Sequence, residues 1–193
     1  SVLNACLRLY NAEALLLLRD EKVAAVHSGD EMDYSVLPVD GLLEALKGKL
    51  DERFPGSIFG TGYCDHALVS ASWSMPGQKE DLLKDYNKTL EAKGQKAMAA
   101  KLMPGIRFMT SDTGIASAKV SALLVGGQYP IHIGSCISVD HRHKKGVADF
   151  ADKLDQLFAQ FGKSLEKLEK LLEISLDYPV NAMTRVCKKL SMP

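Results

Sequence analysis

The chain has 193 residues, with 24 basic against 24 acidic side chains, 46% hydrophobic residues and 25% charged ones. Those proportions belong to an ordinary globular domain, long enough to bury a full core without disulfides or metal. No apolar run approaches the ~18 residues of a membrane span, and net neutrality argues against a strongly basic nucleic-acid module. The charge is nonetheless uneven, with 11 Lys and Arg against 15 Asp and Glu in residues 1–100 and 13 against 9 in residues 101–193.

The opening Ser1-Val2-Leu3-Asn4 is abrupt and reads as the end of a helix, so the sequence reads as a fragment of a longer protein. Apolar runs at 13–19 and 22–27 flank Asp20-Glu21 and predict a β-hairpin. Residues 28–36 are polar and acidic and read as a loop. Leu42, Leu43, Leu46, Leu50 and Phe54 form one stripe between Pro38 and Pro55, which predicts a helix over 38–54. The three glycines of 56–62 read as a flexible lead-in to a strand. A phosphate-cradling loop is the alternative, but neither G-x-G-x-x-G nor G-K-[ST] follows. Over 66–75 the pattern alternates: Ala67, Val69, Ala71, Trp73 and Met75 point to the core, and Leu68, Ser70, Ser72 and Ser74 point away. Residues 78–102 predict one long surface helix, or two broken near Gly94.

Alternation over 106–110, 118–124 and 131–139 predicts three strands of an antiparallel meander. From 144 to 174, Val147, Ala151, Leu154, Phe158, Phe161, Leu165, Leu168 and Leu172 recur at heptad spacing. Gly162 and Ser164 interrupt this seam as a kink or a break. The seam is either a core-facing stripe, the preferred reading, or a homo-oligomer zipper through the 147–172 helix. The fold class is therefore α+β: a mainly antiparallel twisted sheet of five or six strands with long helices packed mostly on one face. Residues 1–143 form the sheet domain, and 144–193 a helical segment packing on it.

Three groups of residues suggest chemistry. Asp112-Thr113-Gly114 is the triplet that carries the carboxylate of aspartic proteases, but that chemistry needs two carboxylates sharing a proton. One triplet requires a dimer, so a turn between strands is the preferred reading. Cys64, Asp65, His66, His132, Cys136, His141 and His143 lack the close paired spacings of a zinc site, so no metal or other cofactor is expected. Cys6, Cys64, Cys136 and Cys187 are widely spaced and read as free thiols of a reducing cytoplasm. The densest basic stretch runs from Arg142 through His143 and Lys144 to Lys145, where a strand meets the long helix. With Arg19, Lys22, Arg107 and Lys119 it supplies candidate phosphate contacts. A stacking platform for bases is not evident, because Trp73 falls on the buried face.

The segments Pro104-Gly105-Ile106-Arg107, Thr110-Ser111-Asp112-Thr113-Gly114 and 118–124 resemble a family of phage and plasmid proteins of unknown function. So do Leu15-Leu16-Leu17-Leu18-Arg19, Val23-Ala24-Ala25-Val26-His27-Ser28, Leu42-Leu43-Glu44-Ala45-Leu46 and Val2-Leu3-Asn4. The similarity spans most of residues 1–140. Residues 126–136 and 29–34 depart from the family's pattern. The resemblance implies a mobile-element protein of the bacterial host cytoplasm that handles DNA or RNA, in recombination or single-strand binding, without enzymatic activity. The alternative is a protein-interaction or anti-defence module acting through the acidic N-terminal half and the helix seam. A dimeric aspartic protease built on Asp112 is a remote third reading.

Overall fold

The computed structural model describes residues 14–28, 37–126, 130–140 and 146–189. Strands β1 (Ala14–Arg19) and β2 (Lys22–Ser28) form the expected antiparallel hairpin, as a two-stranded sheet of its own. Its turn places Asp20 at φ 47° and Glu21 at φ 64°. Two successive left-handed residues match the right-handed twist of paired strands. Aspartate tolerates that conformation, but for glutamate it is unusual.

Helix α1 (Val39–Arg53) follows, then β3 (Ile58–Cys64) and β4 (Val69–Ser74). Helices α2 (Lys79–Ala92) and α3 (Lys96–Lys101) come next, divided where Gly94 adopts φ 76°. Of the two readings of 78–102, the broken helix is the one observed. Strands β5 (Met103–Thr110), β6 (Ala118–Val125) and β7 (Ile131–Val139) complete an antiparallel meander in the order β3-β4-β5-β6-β7. The main sheet thus has five strands. The hairpin stands apart from it, and β3 takes the edge position. Residues 56–62 are mostly strand rather than a lead-in to one. Glycines at alternate positions hid β3, because they leave no side chains to show a period of two.

Helix α4 (Val147–Leu172) runs unbroken for 26 residues past Gly162 and Ser164. It lies against β7 and β6 and contacts α1 and α2. Phe150, Leu154, Leu157, Phe158, Phe161 and Leu165 are buried, so the seam faces the core as preferred. An oligomer zipper through this stripe would have to expose those residues. Phe108 of β5 meets Phe150 edge-on with ring centres 5.9 Å apart, and Phe54 meets Phe158 at 5.0 Å. Lys49 of α1 pairs with Asp155 at 2.8 Å, and Lys153 donates to the Ser138 carbonyl at 2.7 Å. Ser164 has a packing role. Gly134 lies in a bulge of β7 at φ 69°, and a Cβ there would sit 2.1 Å from Ser164 Oγ. The absent side chain lets β7 lie directly on α4.

Beyond α4, helix α5 (Pro179–Lys189) buries none of its residues. Ile174, Leu176, Tyr178, Val180, Met183 and Val186 are all exposed. Among the described residues no helix is long and apolar enough to cross a membrane.

Candidate nucleic-acid interface

Among the described residues, the helices that contact the main sheet meet residues of one face, whose core comprises Ile106, Phe108, Val120, Ala122, Leu124 and Ile133. Strand alternation sends the intervening side chains to the opposite face. There the register aligns Tyr63, Ser70, Met109, Lys119 and Ser138 in one row across the strands, and Ser72, Arg107, Ser121 and Cys136 in the next. A third row holds Ile58, Ser74, Gly105, Leu123 and His132.

The helices carry charges of both signs, and the strands of the main sheet carry one sign. No Asp or Glu occurs in any of the five strands, and their two charged residues, Arg107 and Lys119, both lie on the face away from the helices. As diagonal neighbours on adjacent strands they stand roughly 7–8 Å apart at the backbone. The carboxylates are instead concentrated on the helices, as with Asp40, Glu44, Asp51 and Glu52 on α1, and Glu80, Asp81, Asp85 and Glu91 on α2. Two like charges on one sheet face, with no carboxylate among the strands, are the arrangement that favours an anionic partner there.

A groove of about 500 Å³ runs along this face between β3, β4, β5 and the end of β6. Thr61, Tyr63, Ser70, Ser72, Ser74 and Arg107 supply its polar lining, and Leu123 is buried in it, outside the main core. Arg107 Nε donates to Ser70 Oγ at 3.2 Å, which draws the guanidinium toward the Tyr63 row and covers Ser70. Thr61 and Ser72 hydroxyls bond at 2.9 Å. The Tyr63 hydroxyl donates to Asp65 Oδ2 at 2.6 Å, and Asp65 Oδ1 accepts from the backbone N–H groups of Ala67 and Leu68, each at 2.7 Å. The Tyr63 hydroxyl bond, then those two backbone bonds, hold the Asp65 carboxyl below its ordinary value, and the same carboxylate raises the Tyr63 phenol.

The sequence-predicted contacts divide three ways. Arg107 and Lys119 share the open face. Arg19 is brought elsewhere: its guanidinium engages the Asp112 carboxylate and donates to the His66 carbonyl at 2.9 Å. The Asp112 hydrogen bond raises Arg19 above the usual arginine value. A guanidinium so occupied ties the hairpin to the sheet end instead of offering itself to phosphate. Lys22 pairs with Arg19 in the hairpin register and is exposed, away from the groove. Arg142, His143, Lys144 and Lys145 lie outside the described residues.

Ser111-Asp112-Thr113-Gly114 is the turn between β5 and β6, as preferred, with Gly114 at φ 76°. Ser111 Oγ bonds Thr113 Oγ1 at 2.9 Å and accepts the Ile115 N–H at 3.2 Å. A carboxylate engaged by Arg19 is poorly disposed to share a proton with a second one. Among the described residues no group of three metal-ligating side chains converges, and Cys64, Cys136 and Cys187 are free thiols.

Tyr63 is the feature that residue patterns alone missed. It is an aromatic ring on the groove wall, 57% exposed, on a strand hidden by its glycines. Trp73, by contrast, is half-buried on the helix side, edge-on to Phe59 at 5.7 Å. No known protein family matches the chain, and neither a curated protein nor a solved structure shows significant similarity to it.

Proposed function

We propose that this chain is a non-enzymatic, phage- or plasmid-type nucleic-acid-binding protein that holds a single strand across the open face of its five-stranded sheet. One observation carries the reading: the five strands contain no carboxylate, and their only charges, Arg107 and Lys119, stand together on the face opposite the one on which the described helices pack. A polyanion is the partner such a face attracts. The groove beside Arg107 offers hydroxyls and a tyrosine ring, the combination of polar and stacking groups used on unpaired strands. The resemblance of 103–124 to phage and plasmid proteins points the same way by analogy, toward recombination or single-strand handling in a host cell. Arg142 to Lys145 begin three residues after the end of β7 in the sequence and add basic charge to the same polypeptide segment.

The test is a titration of a labelled single strand at several salt concentrations. The expected result is an affinity that falls linearly with log salt, with a slope shallower by about 0.7 for each of Arg107→Gln and Lys119→Gln. Absence of binding by the unaltered protein at low salt would end the proposal.

A second reading, a protein-interaction or anti-defence module of a mobile element, is favoured by the exposed apolar side chains of Ile174 to Val186. It predicts capture of a protein partner that is lost on Val180→Asp or Met183→Asp and indifferent to Arg107.

A further inference from the structure

We infer that the groove on the open face is a nucleotide subsite, in which Tyr63 stacks on one unpaired base and Arg107 takes the adjoining phosphate. This rests on the nucleic-acid reading above and adds to it a base-dependent contact at a named place.

Tyr63 stands directly opposite Ser70 in the β3–β4 register, and Arg107 Nε bonds Ser70 Oγ at 3.2 Å. The bond seats the guanidinium beside the residue that faces Tyr63, on the same face of the sheet. A cation and a ring lining one groove can be bridged by a single nucleotide. The ring is also held before any ligand arrives. Its hydroxyl is anchored on Asp65, which is itself fixed by the N–H groups of Ala67 and Leu68, while 57% of the residue stays exposed. A ring tethered at its tip offers its face at little ordering cost.

The rest of the groove suits a base of any identity. Thr61, Ser70, Ser72 and Ser74 line it with hydroxyls already engaged within the sheet: Ser70 accepts from Arg107, Thr61 and Ser72 bond each other at 2.9 Å, and Ser74 donates to the Ile58 carbonyl at 3.5 Å, so none is set aside to read a particular base edge. Leu123, 3% exposed, gives an apolar floor. The cavity of about 500 Å³ lies within the range of ordinary small-ligand sites, roughly 300–1,000 Å³. Among the described residues lining it, Arg107 is the only charged one. Asp65, the nearest carboxylate in the β3–β4 loop, is occupied by Tyr63 and two backbone donors, so it meets the ring's tip and not the phosphate position. Hydroxyls bonded within the sheet, beside a π-face common to all bases, make a site that is tolerant of sequence and selective for unpaired strands.

The experiment compares three fluorescein-labelled probes of equal length: a dT single strand, the same strand with abasic sites throughout, and a duplex. Each is titrated with the full chain and with Tyr63→Ala, Tyr63→Phe and Arg107→Gln. The full chain is expected to bind the dT strand about 10- to 100-fold more tightly than the abasic strand. Tyr63→Ala should abolish that difference without changing the salt slope, Tyr63→Phe should keep most of it, and Arg107→Gln should lower the slope by about 0.7. The duplex, whose base faces are covered, should behave like the abasic strand. Equal, salt-dependent affinity for dT and abasic strands would overturn the subsite while leaving the polyanion reading intact. No salt-dependent binding to any probe would overturn both. The comparison of probes uses the unaltered protein, so it does not depend on any variant folding.

Discussion

Replacing Arg19 should loosen the hairpin and leave nucleic-acid binding alone, although its charge and position in the sequence mark it as a phosphate contact. The guanidinium joins β1 to the β5–β6 turn through Asp112 and to the β3–β4 loop through the His66 carbonyl. The two side chains are 35% and 23% exposed, so solvent screens the pair, and its coupling should be about 0.5–1 kcal/mol. The bond to the carbonyl is charge-assisted and adds roughly another 1 kcal/mol to what Arg19→Met removes, or about 1–2 kcal/mol in all. A double-mutant cycle with Asp112→Ala, read by urea denaturation, isolates the shared part. Amide exchange over 14–28 then shows whether the loss is local to the hairpin. Hairpin amides should exchange several-fold faster in Arg19→Met while those of β5 and β6 hold, and affinity for a single strand should change less than twofold. A coupling near zero, with a tenfold loss of strand affinity, would refute this and return Arg19 to the binding surface.

Three further outcomes follow from the packing and electrostatics. Phe150→Ala removes a ring buried against Phe108 and should cost about 3–5 kcal/mol in chemical denaturation; a loss under 1 kcal/mol would mean that α4 does not seat on the sheet as described. Gly134→Ala forces a Cβ toward Ser164 at a left-handed position and should cost roughly 1–3 kcal/mol, partly recovered by Ser164→Gly, whereas a neutral effect would argue against the β7 bulge. The Asp65 carboxyl is depressed in the folded chain, so its contribution to the β3–β4 loop is present above the unfolded value and lost as pH falls through the folded one. An NMR titration should therefore give Asp65 a midpoint below the ordinary 3.8, and Tyr63→Phe should move it upward; a midpoint at or above 3.8 would show that the Tyr63 bond is not made.

What the sequence made legible was whatever has a period. The Leu42–Phe54 stripe, the heptad seam and the alternation in 106–110, 118–124 and 131–139 all specify elements that bury one face, and each is present near its expected bounds. Residues 118–124 are apolar on one side and carry Lys119 and Ser121 on the other, which fixes register as well as existence. What stayed hidden depended on residues distant in sequence. Nothing near Arg19 announces Asp112, 93 positions away, and nothing near Gly134 announces Ser164. The glycines of β3 erased the signal that would have put Tyr63 on a sheet face. The sorting of carboxylates onto the helices was present in the residues all along, but it acquires meaning only when the meander brings Arg107 and Lys119 side by side.

The most direct test of the central claim is a map of where a single strand touches the protein, from backbone and side-chain chemical shifts recorded as a dT strand is added. Shifts concentrated at Tyr63, Ser72, Arg107, Lys119 and Ser121, with the α1 and α2 surfaces unmoved, are the predicted result. Shifts confined to α5, or absent from the strands, would contradict it.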